Sequence, residues 1–251
     1  RSIPDLSQKT RSIPDLSLTY LCSQIAPQIA KDKAITDVAC AQPQSGCVLP
    51  PAAPQLPADA VAASENTGGQ EQTSVLDLCC GGGGFGVAFQ QEGFSIAGGV
   101  DNNSEALTTF SSNFQAARAD NYDLAKPKER KLLVELYVGK IDIVTAGPPC
   151  PGFSGAHRTP ENRKTRDLLV HCVQIGMDVG ARVIIIENAK QAKDSPEAKK
   201  AMGALEALGF TVHAGVVDAA QYGVPQHRER FLLIATKGQW RFAWPQAVAQ
   251  H

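Results

Sequence analysis

Cys150 stands in a run of glycine and proline, Gly147-Pro148-Pro149-Cys150-Pro151-Gly152-Phe153-Ser154. Ahead of it, Lys140-Ile141-Asp142-Ile143-Val144-Thr145 is β-branched and predicts a buried strand. The two prolines end that strand and stiffen the chain. A thiol held just past a strand end in an open α/β sheet is placed for nucleophilic chemistry. By residue type alone, a cysteine in a tight turn serves equally as a small apolar filler. The choice rests on what else the chain brings to the same edge. Arg182-Val183-Ile184-Ile185-Ile186 predicts a second buried strand, ending at Glu187-Asn188. A carboxylate at the C-terminal edge of a central strand is a site position, whereas Asn188 also suits a helix cap. Gln226-His227-Arg228-Glu229-Arg230 precedes another strand, Phe231 to Ala235. Extended backbone there would point Gln226, Arg228 and Arg230 one way.

These groups need a scaffold, and the preceding stretch predicts one. Ser74-Val75-Leu76-Asp77-Leu78 reads as a first strand, Cys79-Cys80-Gly81-Gly82-Gly83-Gly84-Phe85-Gly86 as a glycine-rich turn, and Val87 to Glu92 as a helix. Strand, glycine turn and helix open a nucleotide-binding α/β fold. Glycines let backbone approach a ligand, and the helix N-terminus favours a negative group. The loop alone admits NAD, FAD or S-adenosylmethionine, or a plain tight turn. Four consecutive glycines do not give GxGxxG spacing, which weakens the dinucleotide reading and leaves S-adenosylmethionine standing. The next strand, Ser95 to Val100, ends at Asp101, a position suited to a ribose diol. Asn102, Asn103 and Ser104 precede a helical stretch, Glu105 to Phe114, so capping is the competing role. Asp120 sits like a third-strand residue that reaches an adenine amino group, or else as a solvated loop aspartate.

The chain has 251 residues, 43% of them apolar, enough for a sizeable core. Its formal charge of -1 gives no global basic field, so nucleic-acid contact must come from local patches or a partner. The seven cysteines show no CxxC or other zinc spacing, and their odd count fits free thiols in a reducing compartment, so no metal is expected. No apolar run approaches the roughly 18 residues of a membrane helix, and no signal-peptide pattern opens the chain. At the N-terminus, Arg1–Ser7 recurs as Arg11–Ser17, and Leu18 to Asp37 predicts a short helix broken near Pro27. Pro43 to Pro57 and Ser64 to Gln72 have linker compositions. The expected organisation is a largely irregular extension over 1–72 and one domain over 73–251. That domain divides into a cofactor half, 73–145, and a catalytic half, 146–245.

The order Asp77-Leu78-x-x-Gly81-x-Gly83-Gly84, Pro149-Cys150 with Phe153-Ser154, Glu187-Asn188, and Gln226-x-Arg228-x-Arg230 resembles the DNA (cytosine-5) methyltransferase family over about residues 73–245. The resemblance implies a Rossmann-like, S-adenosylmethionine-dependent methyltransferase fold, a mixed and mostly parallel sheet with helices on both faces. It implies S-adenosylmethionine held by Asp77, Leu78, Cys79, Gly81, Gly83, Gly84, Phe85, Asp101, Asn102, Asp120 and Pro148. It makes Cys150, after Pro149, the nucleophile that adds to C6 of a flipped-out cytosine, as its thiolate. Glu187, beside Asn188, would hold N4 and protonate N3; Arg230 would reach O2, and Arg228 would support the closing loop or a phosphate. The window Gly155 to Arg166 is the most basic in the chain and would be that mobile loop, with DNA contacts from Ser154, Arg158, Arg163, Lys164, Arg166 and, further on, Gln226.

Three positions depart from the family: Cys79 replaces a usual Phe, Asn102 a bulky apolar residue and Ala189 a Val. Family members continue into a target-recognition region where this chain reaches His251. A second polypeptide carrying recognition is therefore expected. The alternatives are a longer product, a catalytically silent truncated copy that binds cofactor or DNA as a regulator, and an RNA cytosine-5 methyltransferase. A nicotinamide oxidoreductase explains neither Pro149-Cys150 nor Gln226-x-Arg228-x-Arg230. The expected location is the cytoplasm of a prokaryote or the nucleus of a eukaryote, without secretion.

Overall fold

The computed structural model describes residues 72–149 and 160–247, with Pro27 and the segment 29–31; within these, side chains are described outside 30–31 and 160–166. The elements are β1 (Ile29–Lys31), β2 (Ser74–Leu78), α1 (Gly84–Gln91), β3 (Ser95–Asp101), α2 (Ser104–Asn113), β4 (Arg118–Asn121), α3 (Pro127–Tyr137), β5 (Ile143–Ala146), α4 (Pro160–Asp178), β6 (Val183–Ala189), α5 (Pro196–Ala207), β7 (Thr211–Asp218), β8 (Glu229–Thr236) and β9 (Trp240–Phe242). Seven strands form one sheet in the order β4-β3-β2-β5-β6-β8-β7. The first five pair in parallel, while β8 runs antiparallel to both β6 and β7.

Alternation along the strands divides the core in two. Leu76, Leu78, Val144, Ala146, Ile184 and Ile186 face one way, under Leu133 of α3, Leu169 and Val173 of α4 and Leu205 of α5. Val75, Ile143, Val183 and Ile185 face the other way, under Phe85 and Phe89 of α1 and Phe110 of α2. Both faces are covered, which is why these strands read as unbroken apolar runs. Each such aliphatic side chain contributes about 1.5–3 kcal/mol by burial. The chain leaves β2 toward β3 on one side and returns at β5 on the other. The crevice at the carboxyl ends of β2 and β5 is therefore the topological switch point.

Several boundaries differ from the sequence reading. The strand expected over 140–145 begins at Ile143, because the Asp142 carboxylate turns aside to accept from the Ser74 N–H at 3.0 Å and its hydroxyl at 3.2 Å. The strand expected to end at Glu187-Asn188 carries those residues within it, since β8 extends the ladder to Ala189. Residues 29–31, expected in a helix, instead form a strand paired with β9, and Ile29 buries beside Trp240 and Phe242. From Pro160 the basic window is helical, the start of α4, so the expected mobile loop does not extend over residues 160–166.

Candidate active site

The cofactor loop rests on one conformational requirement. Cys79 has φ +52°, Gly81 φ +54° and Gly83 φ +92°, so the chain turns sharply out of β2 into α1. Gly81 borders open space, with no atom within 4 Å of where a Cβ would stand. Its backbone is therefore left uncovered on that side. Gly83 has a different cause: a Cβ there would meet the Phe114 ring at 2.3 Å. The loop is tied to its neighbours by the Gly81 N–H, which donates to Asp101 Oδ2 at 3.0 Å, and by Asn113 Nδ2, which donates to the Gly82 carbonyl at 2.8 Å.

A cleft of about 310 Å³ opens at the switch point, lined among others by Cys79, Asp101, Asn102, Asp123, Gly147 and Pro149. Among the described residues, two carboxylates and no Lys or Arg line it. Asp101 Oδ1 also accepts from the Asn103 N–H at 2.9 Å, which fixes the carboxylate without exhausting its acceptor sites. Asn103, expected as a possible cap, fills that role on α2 through its own side chain. Close by, Asp77 is buried at the end of β2. Its Oδ1 accepts from the Thr145 hydroxyl at 2.9 Å, and its Oδ2 has no hydrogen-bond partner among the described residues. Burial pushes its pKa up to about 7; Asp101 adds to this, while Thr145 and the nearby Gly86 N–H oppose it.

Other expected cofactor residues act indirectly. Leu78 lies wholly in the core, and its carbonyl accepts from the Gly147 N–H at 3.3 Å. Phe85 packs beneath Gly147, between the two loops. Gly84 opens α1. The Cys79 thiol contacts Cys172 of α4, and that contact and burial raise its pKa well above the ordinary thiol value. Asp120 requires correction. It is neither a solvated loop residue nor on the cleft: it is buried, and it accepts from the Tyr137 hydroxyl at 2.6 Å and from Arg118 Nη2 at 2.8 Å. Tyr122, Asp123 and Leu124, just past β4, reach the cleft instead. The sequence signal was available, because site residues follow a strand end and β4 ends at Asn121. Thr145, Gly147 and Leu168 are further participants to which the sequence assigns no role at the site, and Asn103, expected as a cap, also lines the cleft.

The catalytic side meets this cleft at Gly147. Asn188, fully buried, donates from Nδ2 to the Pro148 carbonyl at 3.1 Å and accepts from the Ala189 N–H at 2.8 Å. It is a tether between β6 and the Pro-Pro loop, not a cap on a helix. Glu187, one residue earlier, is 7% exposed, and its Oε2 lies 3.8 Å from a Cβ built on Gly147. Its Oε1 accepts from Arg230 Nε at 2.8 Å. The β6–β8 register sets Ala189 opposite Arg230 and so delivers this pair. Arg228 is half-buried, its N–H on Asp218 Oδ1 at 2.8 Å. Gln226 lies in a bend with its N–H on the Val224 carbonyl at 2.7 Å, off the extended run that carries Arg228 and Arg230. Cys150, Ser154 and Arg158 lie outside the described residues; Arg163, Lys164 and Arg166 are on the first turns of α4.

The model of the C-5 cytosine-specific DNA methylase family matches residues 73–249. The chain belongs to that family. The C-5 methylase match covers the whole sheet from β2 onward. Among curated relatives, the Type II methyltransferase M.AgeI of Thalassovita gelatinovora is 32% identical over 171 residues, 66% of this chain and 40% of the relative. M.HgiDI of Herpetosiphon aurantiacus is 31% identical over 160 residues, 64% of this chain and 51% of the relative. The chain thus spans about half the length of the curated relatives it matches. Among solved structures, the S. pombe Dnmt2 methyltransferase superposes with a TM-score of 0.55 at 21% identity, covering 68% of this chain and 52% of that one. The Spodoptera frugiperda DNMT2 gives 0.54 at 21%, covering 66% and 50%. These two carry the same Rossmann-like methyltransferase fold. No described helix is long and apolar enough to cross a membrane.

Proposed function

We propose that this chain is the catalytic part of an S-adenosylmethionine-dependent DNA cytosine-5 methyltransferase. The observation that carries the proposal is the Glu187–Arg230 pair set over Gly147, where the cofactor cleft meets the loop leading to Cys150. The cleft suits a cationic cofactor. Its charged lining among the described residues is acidic, Asp77 adds a buried carboxyl close by, and Gly81 leaves its backbone open. A pyrophosphate would meet the Asp101 and Asp123 carboxylates and no cation among the described lining residues. Asp101 would accept from a ribose diol and Asp123 from an adenine amino group, with Asn102 and Leu168 on the same lining. The cofactor, when bound, supplies an electrophilic methyl group.

The protein's own residues then act on the cytosine. The Cys150 thiolate forms a bond to C6, and the ring electrons move to make C5 nucleophilic. Glu187 holds the N4 amino group and gives N3 a proton, so charge on the ring is neutralised as the thiolate attacks. Arg230 holds the Glu187 carboxylate in place and neutralises charge that builds on the O2 side. Once C5 has gained the methyl group, N3 returns its proton to Glu187 and the C5 proton passes to a base; the C6–S bond breaks, the ring is restored and the Cys150 thiolate leaves. Asn188 keeps the loop before Cys150 in register. The base has to leave the duplex first, at a few kcal/mol, with α4's basic first turns as candidate phosphate contacts. Target recognition is assigned to sequence that the longer relatives possess, on a second polypeptide or in a longer product.

Tritiated-methyl transfer to mixed-sequence DNA, with the chain alone and with a candidate recognition partner, tests this reading. Transfer is expected with DNA and to fall at least about a thousandfold in Cys150→Ser, the loss usual for a nucleophile. Transfer to RNA in preference to DNA, or cofactor binding with no transfer in any combination, would overturn it. Cross-linking of Cys150→Ser to 5-fluorocytosine DNA would refute the nucleophile by itself.

A further inference from the structure

The sheet end opposite the active-site loops carries a second recess of about 270 Å³, lined by Met177, Gly180, Arg182, Leu208, Phe210 and Lys237. Topology makes it: α4 finishes, β6 and β7 begin, and antiparallel β8 finishes there. Thr236 is opposite both Val183 and Thr211, so Arg182 and Lys237 leave the ladder side by side. The Lys237 N–H donates to the Arg182 carbonyl at 2.9 Å. Glu187 is four residues up β6, about 13 Å away at the rise of a strand, so the recess is separate from the catalytic end.

Its wall is apolar and its rim cationic. Phe210 is buried, Met177 half-buried, and Leu208 stands 51% exposed at the edge. Neither Arg182 nor Lys237 has a carboxylate partner among the described residues. Lys237 Nζ sits 5.1 Å from the Phe210 ring centroid. Arg241 adds a third charge at the same turn, with Nη1 donating to the Gly238 carbonyl at 2.6 Å. The Arg182 guanidinium packs against that turn, 3.4 Å from a Cβ built on Gly238. Among the described residues, no acidic side chain lines the recess.

We propose that this recess docks an acidic segment of a partner protein, one aliphatic or aromatic side chain entering the pocket while flanking carboxylates pair with Arg182 and Lys237. The volume takes one large side chain and falls at the low end for a cofactor or drug-sized ligand. The planar fork of Arg182 matches a carboxylate. A nucleic-acid backbone would satisfy the cations but leave the apolar wall without a partner, so a peptide is the better occupant.

The test is fluorescence anisotropy of the full chain with the fluorescein-labelled peptide Gly-Glu-Asp-Leu-Asp-Glu-Gly at low salt. Saturable binding is expected, weakened about tenfold or more by Arg182→Glu with Lys237→Glu, by Leu208→Asp, and by serine in place of the peptide leucine. Thermal midpoints close to wild type establish that the variants fold; should the double reversal unfold, Arg182→Gln at its exposed position is expected to weaken binding about threefold. Peptide binding that ignores these changes would overturn the proposal, as would its absence up to about 1 mM, far above the range of a specific contact. A DNA duplex whose binding falls in the charge-reversal variant, with no peptide binding, would also overturn it and make the patch a nucleic-acid surface.

Discussion

Asp77→Asn should flatten the dependence of stability on pH. The carboxyl is buried at the end of β2, and its pKa is raised from 3.8 to about 7, chiefly by burial. A raised carboxyl pKa means that the folded state holds the proton more tightly than the unfolded chain does. Stability from this group is therefore fully present below about pH 4, lost as pH rises toward 7, and level above that. A rise of just over three units, at about 1.4 kcal/mol each, makes the loss about 4 kcal/mol. Asparagine keeps the shape and an oxygen for the Thr145 hydroxyl, 2.9 Å away in wild type, but it cannot ionise. Urea unfolding of both proteins at constant ionic strength, from pH 4 to pH 9, gives the difference directly. Wild type should lose about 4 kcal/mol relative to the variant between pH 4 and 7, with a constant gap beyond about pH 8. Parallel profiles, differing by less than about 1 kcal/mol across that range, would refute the argument. They would show that Asp77 ionises as a solvated carboxyl does, and that its second oxygen has a partner.

The same carboxyl links pH to the proposed cofactor. A bound cation favours the ionised form, so S-adenosylmethionine affinity by calorimetry should rise up to about tenfold from pH 6 to pH 8 and stay level in Asp77→Asn. Asp120→Ala and Asp123→Ala should behave oppositely. The first strands the Tyr137 hydroxyl and costs about 1–3 kcal/mol of stability with little change in cofactor affinity, while the second gives up an exposed turn hydrogen bond from the Ala125 N–H, costs about 1 kcal/mol or less, and weakens cofactor binding several-fold. Asn188→Ala leaves the Pro148 carbonyl and the Ala189 N–H without their partner. Chemical denaturation should show a loss of about 2–4 kcal/mol, and turnover should fall while cofactor affinity holds.

Much of the fold is legible in the residues because both faces of the sheet are covered. Val183 to Ile186 and Phe231 to Ala235 are continuous apolar runs, and burial on two sides demands that. The glycine loop is legible for a related reason: φ +54° at Gly81 and φ +92° at Gly83 exclude most other residues. The sequence cannot separate the glycine that borders open space from the one that makes room for Phe114, since both carry the same letter. Short segments read worst. Residues 29–31 have no local pattern of their own and become a strand only through pairing with β9.

The chemistry divides along the same line. Residue types and their order in the chain set out a thiol, a carboxylate, two guanidiniums and a cofactor loop, because each motif is local. Which of two nearby aspartates meets the cleft was decided by the strand end: β4 stops at Asn121, so Asp120 turns inward to Tyr137 and Asp123 reaches the open edge. That Asn188 tethers Pro148, 40 residues away, and that Arg230 holds Glu187 across the β6–β8 ladder, are facts of register. Register follows from how strands distant in the chain align when their apolar faces bury together, and only the folded sheet fixes it.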